Sequence, residues 1–109
     1  MSRGQTVLVS CEIGPGPFSG ERLFRLELKN GQTYSGLAPI HYCFNTSKRP
    51  IDPREFTNRP MIDGLIEAVL VANGGEDATV ELPDGQAVTI KMSQVPYRQT
   101  SRETEYVSL

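Results

Sequence analysis

Apolar and polar positions alternate with period two along most of the chain. In residues 5–13 ("QTVLVSCEI") the alternation places Val7, Val9 and Cys11 on one face of a first strand. Phe24, Leu26 and Leu28 then alternate with Arg25 and Glu27 up to Asn30-Gly31. That dipeptide predicts a tight hairpin of type I′, in which both central residues need φ > 0. The return strand carries Tyr34 and then Gly36, a glycine that marks a bulge or a close backbone approach. A second hairpin is predicted around Pro83-Asp84-Gly85. Val80, Leu82, Val88, Ile90 and Met92 face inward there, and Thr89 and Lys91 face out.

Residues 60–73 fit two patterns. As a helix, Ile62, Leu65, Ile66, Val69 and Leu70 form one stripe, closed by Gly74. As a strand, Ile66, Ala68 and Leu70 alternate with Glu67, Val69 and Val71. A helix would carry Gly64 in its interior at a cost of about 1 kcal/mol relative to Ala. The turn "NGGED" followed by "ATVEL" also reads as a hairpin return, so the strand is preferred and an α+β fold with a helix at 60–73 is the alternative.

Residues 64–95 run strand, loop, strand, turn, strand, corner. This resembles the SH3-like small barrels, the class of SH3, Tudor and KOW-type domains. The resemblance implies a mostly β fold, a five- to six-stranded SH3-like barrel over residues 1–97 with one long irregular loop. Residues 98–109 are polar and aperiodic and are expected to form a flexible tail. The ligand-binding aromatics of SH3 and Tudor domains map onto no motif of this chain, so the resemblance implies no ligand.

The two hairpins echo each other: Leu26-Glu27-Leu28 then Asn30-Gly31-Gln32, and Val80-Glu81-Leu82 then Asp84-Gly85-Gln86. Every matched residue is one that hairpin formation already selects, so convergence accounts for the echo as well as duplication does.

Length and composition add bounds. The chain has 109 residues, enough for one ordinary domain, with ten Gly and eight Pro that favour short strands and turns. The net charge of −2 argues against a molecule that binds nucleic acid through its overall field. Charge is nevertheless uneven. No basic residue lies between Arg59 and Lys91, an interval that holds Asp63, Glu67, Glu76, Asp77, Glu81 and Asp84. No apolar run is long enough to span a bilayer, and the two cysteines make no disulfide framework, so a cytoplasmic protein without membrane contact is expected.

The irregular segment 41–60 is where function is expected, because long loops in compact domains usually carry it. Within it, "DPRE" is a helix start: Asp52 as N-cap, Pro53 first, Glu55 third. It mixes Tyr42, Phe44 and Phe56 with Lys48, Arg49, Arg54 and Arg59. With Tyr34, these form the expected contact surface of a noncatalytic interaction or assembly module. Its partner would be another protein or a second copy, the basic loop meeting the acidic strand region. A nucleic-acid-binding barrel is the alternative, since stacking rings with cations suit single strands. A small enzyme built on His41 and Cys43 ranks third. No metal site is expected, as no Cys-x-x-Cys or His-x-x-x-His spacing occurs, and no cofactor motif is present.

Overall fold

The computed structural model describes residues 4–99 and 106–108. It is mostly β, a single curled sheet that forms a half-barrel. The strands are β1 (Gln5–Pro15), β2 (Glu21–Glu27), β3 (Thr33–Pro39), β4 (Cys43–Asn45), β5 (Ile62–Asn73), β6 (Asp77–Glu81), β7 (Ala87–Lys91), β8 (Tyr97–Gln99) and β9 (Tyr106–Ser108). The main path runs β3-β2-β1-β5-β6-β7, with β4 on β5, β8 on β1 and β9 on β8. All pairings are antiparallel.

Three of these strands, β4, β8 and β9, are only three residues long. They are too short for period-two patterning to reveal, which is why the sequence suggested five or six strands. The tail expectation changes for the same reason. Arg98 and Gln99 belong to β8, and Tyr106, Val107 and Ser108 form β9 paired to it. Residues 100–105 and 109 of that expected tail lie outside the described residues.

Residues 62–73 are a strand, as preferred. β5 is central, paired along one side to β1 and along the other to β4 and then β6. Gly64 is required by this packing. A Cβ there would stand 2.8 Å from both Ile13 Cδ1 and the Phe44 carbonyl oxygen.

The core lies inside the curl. Val7, Val9, Phe24, Leu26, Ile66, Val80, Leu82 and Ile90 are buried on the face that alternation assigned them. Fully burying a side chain of this size contributes roughly 1.5–3 kcal/mol. Leu8 and Leu65 are also buried but point to the opposite, outer face.

The two echoing hairpins share one turn geometry. Gly31 (φ 89°) and Gly85 (φ 92°) are left-handed, while Asn30 and Asp84 are not. The Gly31 N–H donates to Leu28 O at 3.0 Å and the Gly85 N–H to Leu82 O at 2.9 Å. Leu28 and Leu82 each donate their N–H to the glutamine carbonyl beyond the glycine, both at 2.8 Å. The Asn30 and Asp84 side chains accept from the amides of Gln32 and Gln86. This is a three-residue loop with one left-handed glycine, not the type I′ turn expected at Asn30-Gly31, because the side-chain acceptor holds the residue before glycine in ordinary backbone.

The likeness extends beyond the hairpins. The first half runs β1, β2, turn, β3, a 3-10 turn (Ile40–Tyr42), β4; the second runs β5, β6, turn, β7, a 3-10 turn (Met92–Gln94), β8. Across β1 and β5 the partners are Val7↔Ala68, Leu8↔Glu67 and Val9↔Ile66. A half-turn about the central pair exchanges the outer two. The same rotation carries β8 onto β4. Arg98 pairs with Val7 as Cys43 pairs with Ile66, although the turn ending at Tyr42 leads straight into β4 whereas Val95 and Pro96 separate Gln94 from β8. Each half thus lends its short last strand to the long first strand of the other.

Candidate functional site

The half-turn generates two gaps, each between one half's short strand and the other half's hairpin. In the first, a groove of about 570 Å³ is lined by Ser10, Glu12, Arg25, Glu27, Thr33 and Gln94 among others. The chain fills much of its chemistry internally. Arg25 Nε donates to Glu12 at 2.9 Å, and Gln94 Nε2 donates to the Glu27 carbonyl oxygen at 2.8 Å. Near this gap, Lys48 Nζ stands 4.4 Å from the centre of the Tyr97 ring. Lys48 takes a left-handed backbone (φ 66°), rare for a side-chain-bearing residue, inside a turn built on Asn45. The Asn45 carboxamide oxygen accepts from Ser47 and Arg49 amides, at 2.9 and 3.1 Å, and Asn45 N donates to Arg49 O at 2.8 Å. The sharp turn aims the ammonium back over the sheet.

The second gap is a smaller cleft, about 280 Å³, lined by Tyr42, Glu67, Val69, Glu81, Leu82, Pro83 and neighbouring backbone. Period two brings Leu65, Glu67 and Val69 of β5 to the outer face, and Glu81 stands opposite Val69 on β6. Tyr42 closes the 3-10 turn that follows Pro39, its ring meeting His41 edge-on at 4.5 Å. Among the described residues neither Glu67 nor Glu81 forms an ion pair. Glu67 accepts one hydrogen bond, from the Tyr106 hydroxyl at 2.7 Å. Burial and that bond push the Tyr106 hydroxyl well above its ordinary range, which keeps it a donor at neutral pH.

β9 lies over the centre of the outer face. The Tyr106 ring meets Phe44 at 6.2 Å between centroids, and Phe44 is paired with Leu65. This places Phe44, Tyr106, Tyr97, Lys48, Glu67 and Tyr42 on one surface of the sheet.

The eight residues singled out from sequence do not form one patch. Tyr42, Phe44 and Lys48 share the outer surface. Tyr34 lies at the seam between the hairpins, its ring 6.0 Å from Phe24 and its hydroxyl bonded to Asp84. Phe56 packs on the core, with the Arg22 guanidinium 5.1 Å from its ring centre. Arg54 is held by Asp52 through its own side chain, at 2.6 Å. Arg49 is exposed, and Arg59 is exposed along a polar groove with Glu55 and Asp63. The sequence reading missed Tyr97, Tyr106, Glu67 and Glu81. For the two glutamates the usable signal was the acidic interval without cations. For the two tyrosines there was no usable signal, because each lies in a strand of only three residues.

Cys43 is buried, donates its thiol to the Pro39 carbonyl at 3.7 Å, and is pushed up to about 11 by burial. His41 is exposed. Among the described residues no three His, Cys, Asp or Glu side chains converge as metal ligands, and no helix is long and apolar enough to cross a membrane. The chain matches no protein-family model, no curated protein and no solved structure.

Proposed function

We propose that this protein is a noncatalytic interaction module that engages a protein partner through the outer-face cleft at Tyr42. The observation that carries this reading is the open cleft itself: one tyrosine ring and two carboxylates, Glu67 and Glu81, with no cation of the chain paired to them among the described residues. Such a site recognises charge and shape without transferring a group. The contact surface keeps Tyr42, Phe44 and Lys48 from segment 41–60 and replaces its other cations with the acidic face of β5 and β6. The high pKa and burial of Cys43 count against a nucleophile. The engagement of Lys48 by Tyr97 and of Arg54 by Asp52 counts against a continuous cationic track for nucleic acid. Two free thiols suit a cytoplasmic setting.

The test is a photo-crosslinking side chain introduced at position 81, with position 32, on the far hairpin turn, as control. A discrete protein adduct at position 81 that is absent at position 32, and lost when Tyr42→Leu is added, is the expected result. No protein adduct at position 81, or equal adducts at both positions, overturns the reading.

A further inference from the structure

We draw no further inference here: the strongest candidate, the exposed apolar patch of Phe18 and Ile40 where the β1–β2 loop meets the end of β3, carries none, because nothing in the structure shows what covers it.

Discussion

The Tyr34 hydroxyl on β3 donates to the Asp84 carboxylate in the second hairpin turn, joining one echoing hairpin to the other across the open side of the half-barrel. Two more contacts follow the same seam. The Lys29 amide donates to the Thr89 carbonyl on β7 at 3.0 Å, and the Lys29 ammonium pairs with Asp77. The bond to Asp84 is the main cause that pushes the Tyr34 hydroxyl up to about 12, with burial second. The folded state therefore holds this proton more tightly than the unfolded chain, whose tyrosine titrates near 10. The stabilisation is complete below pH 10 and is lost as pH rises towards 12. Urea midpoints measured across this range should fall more steeply for the wild type than for Tyr34→Phe, and at neutral pH Tyr34→Phe should cost about 1 kcal/mol.

Gly36 lets that seam close. A Cβ at this position would stand 2.6 Å from Asp84 Oδ2 and 2.9 Å from Phe24 Cζ. The Asp84 side chain can swing away, at the expense of its bond to Tyr34, but the Phe24 ring is fully buried. Gly36→Ala is expected to destabilise by about 1–3 kcal/mol, the usual range for overpacking, read from chemical denaturation. If the substitution is combined with Tyr34→Phe, the two losses should add to less than their sum, since both release Asp84.

Tyr106→Phe removes the hydroxyl that Glu67 accepts and leaves the ring on Phe44. A loss of about 1–2 kcal/mol is expected, as for a hydrogen bond to a charged acceptor in a half-buried setting. Hydrogen exchange should quicken at Val107 and Arg98, the paired residues of β9 and β8.

The loop turn at Pro53–Phe56 depends on Asp52. Its carboxylate accepts from the Arg54 amide at 2.9 Å, the Glu55 carboxylate accepts from the Asp52 amide at 2.9 Å, and the Arg54 side chain closes the set. The Arg54 guanidinium and then its amide hold the Asp52 carboxyl down to about 2, from an ordinary 3.8. This contribution is present above pH 3.8 and disappears as pH falls through 2. Asp52→Asn should raise amide exchange at Arg54 and Glu55 at neutral pH and abolish its acid dependence there, with little change in global unfolding.

Period-two alternation sufficed for β1, β2, β6, β7 and the buried faces of Phe24, Leu26, Val80 and Ile90, because burial on one side of a long strand writes itself into every second residue. The capping box at Asp52 was equally legible, being a local spacing. Tyr97 and Tyr106 were not. Three-residue strands carry too few positions for a period, and their pairing partners lie far away in the chain. The cleft was obscured for a related reason. Tyr42 stood out in its loop, but Glu67 and Glu81 join it only through the registers of β4 with β5 and β5 with β6. Within the expected cationic surface, Arg54 finds Asp52 two residues away and Lys48 finds Tyr97, contacts that residue type alone does not predict, while Arg49 and Arg59 stay exposed.

The exchange of short strands makes the halves interdependent during folding. β4 completes an edge of β5, and β8 an edge of β1, so neither half can satisfy its backbone until the other has been synthesised and docked. The pairings that join them link residues far apart in sequence, and a high contact order slows folding. A cut within residues 46–60 should therefore yield two fragments that are each unfolded alone and regain the β-rich circular dichroism of the intact chain when mixed. The connecting loop then acts as a tether that raises the effective concentration of one half near the other. Fragments that fold independently would show that the exchanged strands are dispensable.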